Sequence, residues 1–203
     1  GETTVSARKL FELIKSVPDD TNLNFEVKEN QLEISALSFQ ADLAILPVQD
    51  FPFVELEAHN FTLSMSGDKF GKVIESTSFA MASADVRYYL NGLLLETSQK
   101  KINLVATDGH RLAWGSYSYS EVLEEKKIII PRSTALELQR ILNIFPEEIS
   151  FSSNNSQLKV ESDNFTFISK LIEGAYPDYK KVFPSGEEQS LETSKSPILT
   201  ALS

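Results

Sequence analysis

Two stretches of this chain repeat each other at a separation near 125 residues, and a repeat constrains architecture more firmly than local propensity does. Gln31-Leu32-Glu33-Ile34 recurs as Gln157-Leu158-Lys159-Val160, and Phe39 recurs as Phe165 at the same offset of 126. Phe51-Pro52 returns as Tyr176-Pro177, 125 residues on. Upstream, Arg8 through Leu13 with Val17-Pro18 matches Arg132 through Leu138 with Phe145-Pro146. Residues 3–55 and 127–180 therefore read as two copies of one unit.

Each copy reads as a helix followed by strands. In the second, Pro131 precedes Arg132-Ser133, and apolar residues then fall at Ala135, Leu138, Ile141 and Leu142, a helical spacing that ends near Pro146. Short alternating stretches follow at 148–152, 158–161 and 165–169, separated by Ser153-Asn154-Asn155 and Ser162-Asp163-Asn164, which suit turns. Between the copies a related order is expected: a strand at 60–65, a helix from Gly67 to about Ser76, and strands at 89–96 and 102–107. The fold expected is α+β, built from repeated units of a helix packed on antiparallel sheet. Residues 1–56 read as the second half of one domain, 57–183 as a complete domain of two units, and 184–203 as a linker with the start of a third. There Ser190-Leu191-Glu192-Thr193 suits an opening strand, and Ser196-Pro197 suits the cap and first turn of a helix. A start at Gly1 without an initiator Met, and an end inside that helix, lead to the expectation of a piece of a longer protein.

Composition narrows the class. Hydrophobic residues make up 41% of the chain, with 13 Phe, enough for a packed core. Cysteine is absent, which excludes disulfides and thiolate zinc sites, and no apolar run approaches the roughly 20 residues that cross a bilayer. A soluble, cytoplasmic setting without membrane partners is the expectation. The net charge of −10 opposes nucleic-acid binding as an average, although a basic strip on an acidic body would escape that average.

Thr107-Asp108-Gly109-His110-Arg111 concentrates an Asp, a His and an Arg. A hydrolytic reading lacks partners, since the chain has no Gly-x-Ser-x-Gly elbow and only His59 as a second histidine for a metal. Taken alone, Asp108-Gly109 suits a turn after a strand ending at Val105, with His110 and Arg111 on the surface. Tyr88 and Tyr89, taken alone, fit packing at a strand start. Arg8, Lys9, Lys69, Lys72, Arg132 and Arg140 lie on the expected helices, where solvated charge is the ordinary role.

Five stretches then carry a resemblance. Phe79-Ala80-Met81-Ala82 with Asp85-Val86-Arg87-Tyr88-Tyr89-Leu90-Asn91-Gly92, the octet Ala106 through Ala113, Ile130-Pro131-Arg132, Ser169 through Gly174, and Tyr176-Pro177-Asp178-Tyr179-Lys180-Lys181-Val182 occur in the order found in one family. Over essentially its full length the sequence resembles the bacterial DNA polymerase III beta subunit, the sliding clamp. The resemblance implies a DNA clamp fold and a processivity factor of the replicative polymerase, with no catalytic residue, metal or cofactor. It implies a homodimeric ring of three-domain subunits around double-stranded DNA, held without regard to sequence. Partners would be the polymerase III alpha subunit, the clamp-loader delta subunit and other clamp-motif proteins, docked by a short peptide.

Carried over by position, the peptide cleft takes Leu90, Thr107, Gly109, His110, Arg111, Leu112, Pro177, Lys181 and Val182. DNA contact falls to Arg87, Tyr88 and Tyr89 on a loop and to Arg8, Lys9, Lys69, Lys72, Arg132 and Arg140 on helices. Ser133 stands where the family often has a second basic residue, which implies a lighter grip on phosphates. The family's cleft is shared with the third domain and its ring contact joins first to third, so this chain is expected to hold half a cleft and not to close a ring. A different class stays open beside the clamp: a peptide-binding module of clamp fold that never encircles DNA.

Overall fold

Serine ahead of a helix satisfies free amides of its first turn, and this device opens two of the helices. In the computed structural model, which describes residues 2–36, 39–52, 58, 61–183 and 192–202, Ser6 caps α1 (Ala7–Lys15) and Ser66 caps α2 (Gly67–Ser78). Each hydroxyl accepts from the amide three residues on, that of Lys9 or Lys69. Pro131, which needs no amide partner, precedes α3 (Arg132–Ile144) in the same place.

The chain divides into two compact units, Gly1–Leu56 and Glu57–Ser203. The first holds β1 (Thr4–Val5), α1, β2 (Asn24–Lys28), β3 (Gln31–Ala36) and β4 (Phe39–Leu46), in the sheet order β1-β4-β3-β2. The second holds β5 (Phe61–Ser66) and α2, then β6 (Gly92–Thr107) and β7 (Leu112–Pro131). It continues with α3, β8 (Glu148–Ser153), β9 (Gln157–Glu161), β10 (Thr166–Lys170) and α4 (Lys195–Leu202). Strands β10-β9-β8-β5 form one sheet, and β6 pairs with β7.

The sequence repeat is a repeat of register. Asn24 faces Ser35 and Gln31 faces Ala44, while 126 residues on Ser150 faces Glu161 and Gln157 faces Lys170. Even the short pairing of Thr4 with Leu46 has its counterpart in the bridge between Ile129 and Ile172. The expected α+β architecture of helix on antiparallel sheet is thus what these residues build.

Two expectations are corrected. The strands expected at 89–96 and 102–107 are one strand, β6, whose pairing shifts register around Gln99, and residues 88–90 form a 3-10 turn instead. The polar run Thr97-Ser98-Gln99-Lys100 reads like a loop, yet it is held in place as β6 crosses a bulge where Gln99 takes φ 51°. At the far end, Glu192 and Thr193 lie outside any strand and the helix begins at Lys195, one residue ahead of Ser196-Pro197. His59, Asn60, Ser190 and Leu191 lie outside the described residues.

Alternation along β6 and β7 creates two apolar layers. Leu93, Leu95, Ile102, Leu104, Ile128 and Ile130 point into the main core with Phe70, Ile74, Leu138 and Leu142 of the helices. On the other face, Leu94, Val105 and Ile129 join Tyr179 in a smaller cluster, with Tyr89, Leu112, Ile172 and Tyr176 against it. That outer layer exists because the segment after β10 folds back across the β6–β7 face. Its edge is where the candidate site lies.

Candidate functional site

The hairpin turn from β6 to β7 is fixed by its own side chains. The Asp108 carboxylate accepts from the backbone N–H groups of His110 (2.9 Å) and Arg111 (3.0 Å) and from Arg111 Nε (3.0 Å). The Thr107 hydroxyl accepts from the Gly109 amide at 3.1 Å and donates to the Arg111 carbonyl at 2.7 Å. Gly109 sits at φ +89°, a region that disfavours side chains, and a Cβ there would come within 3.1 Å of the Arg87 guanidinium. The two backbone amides, with Arg111, hold the Asp108 carboxyl down at about 2. That carboxylate is committed to shaping the turn, an arrangement unlike a general base aimed at a substrate.

A second loop leans on the first. Arg87 clasps Asp85 through Nε (3.0 Å) and Nη2 (2.8 Å), and Nη2 also donates to the Asp108 carbonyl at 3.3 Å. The guanidinium and its own amide hold the Asp85 carboxyl down at about 2. Asn91 fastens the base of this loop, exchanging side-chain bonds with the backbone of Asp85 at 2.9 and 2.8 Å.

The third wall comes from the segment crossing the outer layer. The Thr107 amide donates to the hydroxyl of half-buried Tyr176 at 3.0 Å, and burial pushes that phenol up to about 12. Tyr179 is buried and donates to Glu96, which also meets Lys127 at 3.0 Å and Lys180 at 3.3 Å. Burial disfavours the Glu96 carboxylate, but the Tyr179 hydroxyl and the two ammonium groups outweigh it and its pKa is lowered. Residues 176–182 are thereby pinned to the sheet.

Between these walls lies an open cavity of about 420 Å³, lined by Leu90, Thr107, Gly109, His110, Arg111, Leu112, Pro177 and Val182. Of the residues expected at a cleft, only Lys181 is outside the lining; it is exposed and pairs with Asp178 at 3.4 Å. Three further residues line the cavity beyond those expected: Arg87, Asp178 and Tyr179. Asp178 and Tyr179 fall between expected members, but the burial of Tyr179 and its bond to Glu96 come from the fold-back and leave no periodic trace in the sequence.

The residues expected on DNA are placed more loosely. Tyr88 is exposed, stacks edge-on against Tyr89 at 5.7 Å, and covers Gly174; Tyr89 packs on the outer layer. Lys69 and Lys72 lie exposed on α2, Arg140 exposed and Arg132 half-buried on α3, and Arg8 and Lys9 exposed on α1 in the other unit. Arg8 pairs with Glu12 (3.0 Å), Lys72 with Asp68 (2.8 Å) and Arg140 with Glu137 (3.0 Å), each on its own helix. Arg132 donates to the Met81 carbonyl at 3.1 Å, which ties the loop after α2 to the start of α3. Among the described residues no cluster of acidic and histidine side chains is arranged to hold a metal, and no helix is long and apolar enough to cross a membrane.

Comparison with known proteins gives one answer throughout. The family described as DNA polymerase III beta subunit, central domain, matches residues 64–178, more than half of the chain. The beta sliding clamp of Pseudomonas putida is 40% identical over 204 aligned residues, spanning all of this chain and 56% of the relative. That of Escherichia coli is 34% identical over 95% of the chain and 52% of the relative. A crystal structure of the DNA polymerase III subunit beta from Pseudomonas aeruginosa superposes with a TM-score of 0.87 at 41% identity, over 92% of this chain and 51% of that one. A further structure of the Pseudomonas aeruginosa clamp, bound to griselimycin, superposes at 0.88. The chain spans about half the length of the relatives it matches.

Proposed function

Because the chain belongs to the bacterial beta sliding clamp family, we propose that it serves as part of a processivity factor: a ring that tethers the replicative polymerase to double-stranded DNA and makes or breaks no bond. The observation that supports this most directly is the cavity walled by Leu90, the 107–112 turn, Pro177 and Val182. Its floor is apolar and its rim carries His110 and Arg111, which suits a short peptide with an aliphatic or aromatic anchor. Docked there in the cytoplasm would be the polymerase III alpha subunit, the clamp-loader delta subunit and other clamp-motif proteins.

In this reading residues 1–56 are the second half of clamp domain I, 57–183 are domain II, and 184–203 lead into domain III. The equal registers of β2–β4 and β8–β10 support the first assignment. Two such chains, each with complete first and third domains, would close the homodimeric ring. Arg87, Tyr88 and Tyr89, together with Arg8, Lys9, Lys69, Lys72, Arg132 and Arg140, would meet phosphates and exposed bases without reading sequence. Own-helix carboxylates beside Arg8, Lys72 and Arg140 keep that grip light, and a sliding ring needs light contacts.

Anisotropy of a labelled clamp-motif peptide tests the cleft, on this chain and on one extended through domain III. Binding that the double variant His110→Ala, Arg111→Ala removes supports the assignment; absence of binding to both chains removes it. Retention on circular but not linear DNA by the extended chain tests the ring. Equal loss from both would favour a peptide-binding module of clamp fold that never encircles DNA.

A further inference from the structure

The cleft does not end at Val182. Tyr179, one of its lining residues, stacks edge-on against Phe183 at 6.3 Å, and Phe183 stacks in turn against Trp114 at 6.4 Å. Trp114 lies two residues beyond Leu112 of the cleft, so both side chains rise from the same face of β7. An aromatic path thus runs outward from the cavity to a tryptophan. Phe183 and Trp114 each remain 48% exposed, although large aromatic side chains bury 150 Å² or more when they pack fully. Exposed aromatic area beside a cavity is the composition of a binding surface, where Trp and Tyr anchors dominate affinity.

Charge identifies what would cover it. On this acidic chain the turn leading to Phe183 carries Lys180 and Lys181 side by side, both largely exposed. Arg111, which lines the cavity, lies over the Phe79 ring at 5.6 Å with its side chain 58% exposed. Lys180 Nζ lies over the Tyr179 ring at 5.6 Å, at the inner end of the aromatic path, so a partner carboxylate beside an apolar group seated on the rings would find a cation close by.

We propose that Trp114 and Phe183 form an accessory subsite for the segment flanking a docked peptide, recognising one aromatic or large aliphatic residue next to an acidic one. The proposal rests on the cleft reading above and names an element of specificity within it. Because Trp114 is the only tryptophan of the chain, its emission reports occupancy directly.

The test uses this chain and three fluorescein-labelled peptides: a minimal anchor peptide, and the same peptide extended by Phe-Asp at its N-terminus or at its C-terminus. One of the two extensions is expected to tighten binding about tenfold. Titration of its unlabelled form should also shift Trp114 emission to the blue. In Trp114→Ala and in Phe183→Ala the minimal peptide should bind as before, while the gain from extension is lost. Phe183→Ala keeps the reporter, so its unshifted emission would confirm both the fold and the missing subsite. An equal gain in wild type and both variants, or no gain from either extension while the minimal peptide still binds, overturns the subsite and leaves the cleft. Failure of every peptide overturns both. Self-association of the chain that Trp114→Ala abolishes would assign the rings to a second copy and overturn the proposal as well.

Discussion

The half-domain of residues 1–56 and its twin in the second unit share register and sequence pattern, but they differ sharply in what they bury. Phe25 on β2 and Phe151 on β8 are equivalent at the offset of 126, yet Phe25 is 51% exposed and Phe151 is fully buried. The helices show the same contrast. Leu13 of α1 is only partly covered, whereas its counterpart Leu138 of α3 is enclosed. The cause is a mate. β8 has β5 on its outer edge and α3 packs beside α2, with Phe70 meeting Phe151 edge-on at 5.8 Å. Among the described residues, no strand continues the sheet beyond β2 and no second helix flanks α1. The inner strands are indifferent to this, since Leu32 and Ile34 are as buried as Leu158 and Val160. One helix–strand unit therefore buries only the inward positions of its central strand by itself, and a pair of units makes a full core.

The largest expected consequence concerns that phenylalanine pair. Phe151→Ala should cost about 3–5 kcal/mol, because it opens a cavity in a filled core, while Phe25→Ala should cost about 1 kcal/mol or less. Denaturant unfolding followed by hydrogen exchange, which resolves the two units separately, measures both. Equal costs would mean that the edge of β2 is covered in solution, and the contrast would fall.

The helices sharpen the same point at a smaller scale. Leu138→Ala should cost about 2–4 kcal/mol and Leu13→Ala about 1 kcal/mol. Amides of α1 should also exchange well before those of α3. Protection of α1 matching that of α3 would show that burial by a mate is not what stabilises these helices.

Much of this was legible in the sequence because the period of 3.6 residues at Ala135, Leu138 and Leu142 and the Ser-Asn and Asp-Asn breaks mark α3 and β8–β10 directly. The long hairpin was harder. Its middle, Thr97 to Lys101, is polar and shifts register, so alternation stops there although the strand does not. In β7 the core-facing positions include Gly115, Tyr117 and Tyr119, where phenol groups reach the amides of Ser66 and Ser64 (3.4 and 3.3 Å), which weakens the apolar signal. For the candidate site, the Asp-Gly turn and Pro177 were readable. The lining by Arg87 and Tyr179 was not, because it depends on one loop and one fold-back meeting across the sheet.

That fold-back supplies the next contrast. Phe51-Pro52 and Tyr176-Pro177 are sequence equivalents, but Phe51 is 61% exposed while Tyr176 is half-buried with its hydroxyl on the Thr107 amide. What anchors the second copy is Glu96, held by Tyr179, Lys127 and Lys180. Glu96→Ala leaves a buried phenol without its acceptor and should cost about 1–3 kcal/mol. Peptide affinity at the cleft should fall several-fold with it, while the protection of residues 1–56 stays unchanged. An intact 176–182 segment with unaltered affinity would show that the outer apolar layer holds the wall unaided.

The smallest effect is one of pH, confined to two loops of the second unit. Both Asp108 and Asp85 have folded-state pKa values lowered from 3.8 to about 2, Asp108 by the amides of His110 and Arg111 and Asp85 by Arg87. A lowered carboxylate pKa means that the contribution is fully present above the ordinary value near 4 and is lost as pH falls through the folded value. From neutral pH down to about 4 the 107–112 turn should therefore keep its shape. Between about 4 and 2 the amide resonances of His110 and Arg111 should move together as the carboxylate protonates. In Asp108→Asn the acid transition of these amides should vanish while that of the Asp85 loop persists, and NMR titration of the two chains distinguishes the cases. A transition that survives the substitution would mean that Arg87, bridging both loops at the Asp108 carbonyl, couples them into one titrating element.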